Sequence, residues 1–218
     1  MIRKAAWVGC SLSVIQQLTG MNAIMFYSSA IFADGGTPAN LASFYIQSAN
    51  LAGVIGGTLL LNQFGRRTLM LWATGACTVF ILLVAFFTMA GNSGAELIFV
   101  LAYVASFEFG PGPVVWMYMS EIMNDKGVSI GTLLNWTFTL IIGLVTPVMF
   151  NKMASGIPFI VFGVLCGLGT IFVFFFMKET KGLSDAEVKK LYRTDRDVIG
   201  EFEQRLAHRT TARVDDDE

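Results

Sequence analysis

Gly156–Met177 reads GIPFIVFGVLCGLGTIFVFFFM, an apolar run inside a stretch, 153–177, that carries no charge at all. A helix of roughly 20 such residues spans the ~30 Å hydrocarbon core of a bilayer. Leu69–Ala90, LMLWATGACTVFILLVAFFTMA, reads the same way. Working outward, Asp, Glu, Lys and Arg are also absent from 5–33, 35–65, 68–95, 97–107, 109–120 and 127–151. These gaps predict six spans, at about 5–32, 41–62, 69–90, 97–120, 129–150 and 155–177, the fourth running through Glu108. Composition agrees: only 14% of the 218 residues are charged and 54% are hydrophobic, with mean hydropathy +0.61, whereas a soluble domain carries about 25% charge. The expected fold class is an all-α membrane protein of six transmembrane helices, followed by a cytoplasmic tail helix.

Basic residues orient the spans, because short cytoplasmic loops retain Lys and Arg. Assigning alternate loops to one side groups Arg3, Lys4, Arg66, Arg67, Lys126 and every basic residue from Lys178 onward, and leaves only Lys152 opposite. Both termini are therefore expected in the cytoplasm. The start has the charged beginning of a signal peptide, but Gln16 and Gln17 interrupt what would be its apolar core and no small-residue cleavage site follows. The expected domains are 1–177, the membrane bundle, and 178–218, a charged tail. Ser184-Asp185-Ala186-Glu187 has the form of a capping box, predicting a helix at about 185–207. The acidic end, Asp215 to Glu218, reads as disordered.

Several function classes drop out. A net charge of -1 leaves no concentrated positive field for nucleic acid. His208 is the only histidine, so neither a His-Cys zinc site nor a Ser-His-Asp triad can be assembled. Cys10, Cys77 and Cys166 are odd in number, lie in separate spans and read as packing residues. No Walker sequence occurs. The chain is read as a non-enzyme without cofactor or metal. Asn135-Trp136-Thr137 matches a glycosylation acceptor, but it lies within a span.

Polar residues inside the spans carry the functional argument, since an amide in hydrocarbon is costly unless it faces protein, water or ligand. Ser13, Gln16, Gln17 and Gly20 recur at helical spacing along one stripe. Ser43, Gln47, Asn50, Gly53 and Gly57 do so in the second span, as do Thr132, Asn135, Trp136, Thr139, Gly143 and Thr146 in the fifth. Three stripes suggest one shared cavity. Gly20 weakens the first span, and Gly110-Pro111-Gly112-Pro113 must break or kink the fourth. If the six spans form two inverted three-helix repeats, these two spans occupy corresponding positions, where transporters put discontinuous helices around a midplane site. Glue between membrane helices is the competing reading of the amides. It accounts poorly for their gathering, with Trp116, around two helix breaks. The ligand they suit is neutral and rich in hydroxyls, because an amide both donates and accepts and an indole covers a sugar's C–H face.

Gln16-Gln17-Leu18-Thr19-Gly20-Met21-Asn22-Ala23, Gly65-Arg66-Arg67-Thr68, Phe107-Glu108-Phe109-Gly110-Pro111-Gly112-Pro113, Asn135-Trp136 and Glu179-Thr180-Lys181-Gly182 follow one another in that order. Together they resemble the sugar porter branch of the major facilitator superfamily, over about residues 5–187. The match is to the carboxy-terminal six-helix half of facilitative glucose transporters and their proton-coupled relatives. The resemblance implies that Gln16, Gln17, Asn22, Asn50 and Trp116 contact a hexose, with Glu108 and Asn135 beside them. It implies that Tyr27 belongs to an extracellular gate, and that Arg66, Arg67, Glu121 and Glu179 latch the cytoplasmic side. The chain also departs from the family pattern. Asn62-Gln63 replaces a charged pair, Val115 stands where a proline precedes the tryptophan, and Lys178 replaces the proline before Glu179. Thr139 stands where many glucose transporters have another amide, and Phe26 replaces the first of two gate tyrosines.

The resemblance implies hexose transport by alternating access at the plasma membrane, with a small-molecule sugar, the lipid bilayer and an amino-terminal six-helix half as partners. A proton-coupled sugar or polyol symporter is the alternative within transport. A truncated, non-transporting fragment or a sensor-like remnant is the alternative outside it.

Overall fold

The computed structural model describes residues 3–31 and 38–193. Its helices are α1 Arg3–Leu18, α2 Met21–Ile31, α3 Ala39–Gln63, α4 Arg66–Met89, α5 Ser93–Phe109, α6 Pro111–Ile122, α7 Asp125–Lys152, α8 Ile157–Phe176 and α9 Asp185–Leu191. Among the described residues, five stretches are long and apolar enough to cross a membrane: α3, α4, α5 with α6, α7 and α8. The first expected span is delivered as two helices. At 16 and 11 residues, they rise only about 24 and 17 Å, so neither crosses alone.

Both breaks have local causes. Gly20, between α1 and α2, sits at φ +88°, in the left-handed region that glycine adopts freely, and a Cβ there would come within 2.5 Å of the Phe162 ring. Gly110, between α5 and α6, lies so close to α4 that its Cβ would meet that of Ala73 at 2.3 Å. Pro111 then opens α6 at a position where its missing N–H is not needed. Two other helix starts, those of α5 and α7, are capped by side chains: Asn92 accepts from the Ala95 N–H at 3.1 Å and Asn124 from the Gly127 N–H at 3.0 Å.

Packing follows the triplet symmetry expected from the sequence. The first helix of each triplet packs on the second helix of the other, α1 on α7 and α5 on α3, while the two third helices, α4 and α8, pack on each other. The core falls into two clusters. One gathers Met21 and Ile24 of α2 with Cys77, Ile81, Tyr103, Phe107 and Phe162. The other joins Val8, Leu12, Met70, Val115, Tyr118 and Val173 to Val188 and Tyr192 at the tail. Beyond Thr68 in the first turn of α4, the exposed side chains of α4 and α8, among them Trp72, Leu168 and Phe175, are apolar, as hydrocarbon requires. The chain is an integral, multi-pass membrane protein.

The capping box forms as the sequence indicates, with the Glu187 carboxylate accepting from the Ser184 N–H at 2.8 Å and hydroxyl at 2.6 Å. The helix ends sooner than expected, at Leu191. The remainder of the 185–207 expectation from residue 194 onward, and the acidic end, lie outside the described residues.

Candidate functional site

The two helix breaks and α7 enclose a cavity of about 440 Å³, lined among others by Gln16, Gln17, Asn22, Glu108, Trp116 and Asn135. Volumes of this order hold small molecules. At its wall four side-chain amides form a ladder running one way. Asn22 Nδ2 donates to Gln17 Oε1, and Gln17 Nε2 donates to Asn135 Oδ1 at 2.9 Å. Asn135 Nδ2 donates to Gln16 Oε1 at 2.7 Å, and Gln16 Nε2 donates to the carbonyls of Pro111 and Gly112 at 2.7 and 3.1 Å. The ladder thus begins in the first turn of α2 and ends in the first turn of α6, crossing both breaks by way of α7. Asn135 is its centre: only 2% exposed, it also donates to the Ser13 carbonyl at 3.1 Å. Spare capacity remains, because Gln17 Nε2 carries a second hydrogen and Asn22 an amide oxygen.

The other sequence-derived residues divide between this wall and elsewhere. Trp116 lines the cavity, with Phe26, Trp136 and Thr139 beside it. Asn50 is set apart from the ladder and donates to Glu108 Oε1 at 2.7 Å, so the second polar stripe reaches the cavity through Glu108. Its neighbour Gln47 is exposed on α3. The Tyr27 hydroxyl donates to the Gly143 carbonyl at 2.7 Å, fastening α2 to α7.

Arg66, Arg67, Glu121 and Glu179 meet at the end of the bundle where α4 begins. Glu179 accepts from the backbone N–H groups of Arg66 at 2.8 Å and Arg67 at 3.1 Å, which places a carboxylate at the positive end of the α4 dipole. The Arg66 guanidinium pairs with Glu121 at 3.0 Å. The Thr180 hydroxyl donates to the other Glu121 oxygen at 2.6 Å. Arg67 instead donates to the Phe174 carbonyl at 2.8 Å, with its guanidinium 5.7 Å from the Phe174 ring centre. Below, the Tyr118 and Tyr192 hydroxyls lie 2.6 Å apart and dock α9 on α6. Burial pushes the Tyr192 hydroxyl up, and hydrogen bonds from Ser184 hold the Glu187 carboxyl below the usual carboxylate range.

No motif marks Tyr103 or Tyr118, and the motif that contains Thr180 gives it no role. A usable signal existed for the tyrosines, since a phenol inside a span needs a partner for its hydroxyl. The ladder itself offers only neutral donors and acceptors, which suits exchange with hydroxyl groups and offers no fixed countercharge to an ion.

Comparisons with known proteins give the family and the fold. The model of the family described as "Sugar (and other) transporter" matches residues 1–192. The sugar transporter ESL1 of Arabidopsis thaliana is 35% identical over 188 residues, which cover 80% of this chain and 40% of the relative. The facilitated trehalose transporter Tret1 of Polypedilum vanderplanki is 30% identical over 201 residues, covering 86% of this chain and 40% of the relative. Among solved structures, the inward-open conformation of the xylose transporter XylE from E. coli matches with a TM-score of 0.80 at 23% identity, over 88% of this chain and 42% of that one. That likeness concerns the fold. The chain spans about 40% of the length of these curated relatives.

Proposed function

Since the chain belongs to the sugar transporter family, whose members are transporters and not enzymes, we propose that it supplies the carboxy-terminal half of a hexose transporter working by alternating access. It has the fold of one six-helix half of a major facilitator protein. The observation that carries the reading is the one-way amide ladder joining two helix breaks at the wall of a cavity. Gln17 and Asn22 would meet sugar hydroxyls, while Trp116 would cover the ring's C–H face. Gln16 and Asn135 lie deeper in the ladder, and Asn50 acts through Glu108. Tyr27 gates one side. Arg66, Arg67, Glu121 and Glu179 latch the other, which the basic residues assign to the cytoplasm together with both termini. The plasma membrane is the expected site of action.

An amino-terminal six-helix half completes the path. The exposed face of α3 presents the Gln47 amide, which is costly to leave facing lipid, whereas the exposed Ser48, Thr58 and Thr137 hydroxyls are satisfied by carbonyls of their own helices. The test is uptake of radiolabelled D-glucose into vesicles containing the chain, with and without an amino-terminal six-span half. Saturable, stereoselective uptake is expected only with both halves. Such uptake by the chain alone would contradict the half-transporter reading, and its absence with both halves would remove the hexose.

A further inference from the structure

The two helix breaks are braced from opposite sides. From α1, Gln16 reaches the first turn of α6 through the carbonyls of Pro111 and Gly112. From α5, the Tyr103 hydroxyl donates at 2.9 Å to the carbonyl of Thr19, in the turn between α1 and α2. Tyr103 is 0% exposed, and its ring shares a core cluster with Met21 and Ile24, which open α2. Thr19 is fixed on its other sides as well. Its own hydroxyl donates to the Gln16 carbonyl at 2.7 Å, and its N–H donates to the Ile15 carbonyl at 3.1 Å. The next residue is Gly20, with its left-handed φ and the Phe162 ring against it. Two residues further on, Asn22 starts the amide ladder.

We propose that Tyr103 is a positioning residue for the substrate cavity: through the Thr19 carbonyl it fixes how α2 leaves the break, and so where Asn22 meets the ligand. Tyr103 does not line the cavity. Its packing needs only the ring. The hydroxyl adds one directed bond to the Thr19 carbonyl, in the turn between the two helices, where the N–H groups of Thr19 and Gly20 bond back into α1 and the tyrosine ties the turn to α5. Rotation at that turn would swing α2 and move Asn22 away from Gln17, so the bond's effect is read at the cavity rather than in the core. The sugar as ligand rests on the function proposed above; the brace does not.

Tyr103→Phe deletes the donor and keeps the ring. In the assembly with an amino-terminal half, the dissociation constant for D-glucose, followed by quenching of tryptophan fluorescence, should rise roughly three- to tenfold, the effect of one neutral hydrogen bond. In an Asn22→Ser background the same change should shift it less than about twofold, because the group being positioned is gone. An equal shift in both backgrounds, or none in either, overturns the proposal. Amide exchange over residues 19–24, measured by mass spectrometry without sugar, should quicken in Tyr103→Phe. If wild type binds no sugar, the hexose reading fails and this exchange still decides the brace: faster exchange supports it, and unchanged exchange overturns it.

Discussion

In the middle of the bundle, Gln16, Gln17, Asn22 and Asn135 hold one another through neutral amides. At the end where α4 begins, Arg66, Glu121, Glu179 and Thr180 are joined by one ion pair and by hydrogen bonds to two carboxylates. Both networks tie together elements distant in sequence, but they sit in different dielectrics. Deep in a membrane protein an ion lacks water and is expensive, so the central network is built from groups that donate and accept without charge. Such groups can exchange a partner for a sugar hydroxyl at small net cost. The terminal network is half-exposed, with Arg66 and Glu121 side chains each 23% accessible. There, a partly exposed ion pair contributes little and breaks readily, and Glu179 also caps α4.

The sharpest way to break this contrast is at Asn135. Asn135→Leu leaves the Gln16 oxygen, the Gln17 amide and the Ser13 carbonyl without their partner. A loss of about 2–4 kcal/mol is expected from several unpaired buried groups, read as a lower unfolding temperature in detergent together with loss of sugar-dependent fluorescence. Normal stability in that variant would mean the ladder is incidental. Glu179→Ala is expected to cost less, about 1–2 kcal/mol, through exposure of the α4 N-terminus. High salt should narrow its difference from wild type, while leaving the Asn135 defect as it was. An equal salt response in both variants would erase the distinction between the networks.

The smallest effect concerns the tail. The folded-state pKa of Glu187 is lowered by Ser184, so its contribution is complete above the ordinary carboxylate pKa and fades as pH falls through the lowered value. Cleavage by a protease after Lys189 or Lys190 should therefore rise on acidification below about pH 4, and Ser184→Ala should flatten that dependence. A wild-type cleavage profile that does not change with pH would show that the capping box does not hold α9 in place.

Much of this was legible in the sequence. The spans follow from gaps between charges, and the breaks follow from Gly20 and the Gly110–Pro113 run, because both signals are local. The tail helix was legible only at its start: a capping box marks where a helix begins, whereas its end at Leu191 coincides with the docking of Tyr192 on Tyr118. The site was legible as residue types on stripes but not as a network. Helical spacing puts Asn50 and Asn135 on matching faces. Only packing sends one to Glu108 and the other to two glutamines. Tyr103 escaped for the same reason: its partner is a backbone carbonyl 84 positions away, which no motif encodes.

The central claim, that a neutral ladder receives a neutral sugar, is tested most directly by uptake of D- against L-glucose into liposomes holding the chain with an amino-terminal half. Saturable uptake of the D sugar is expected, with KM raised about tenfold by Gln17→Leu. Equal uptake of both enantiomers, or a wild-type KM in Gln17→Leu, would contradict the account.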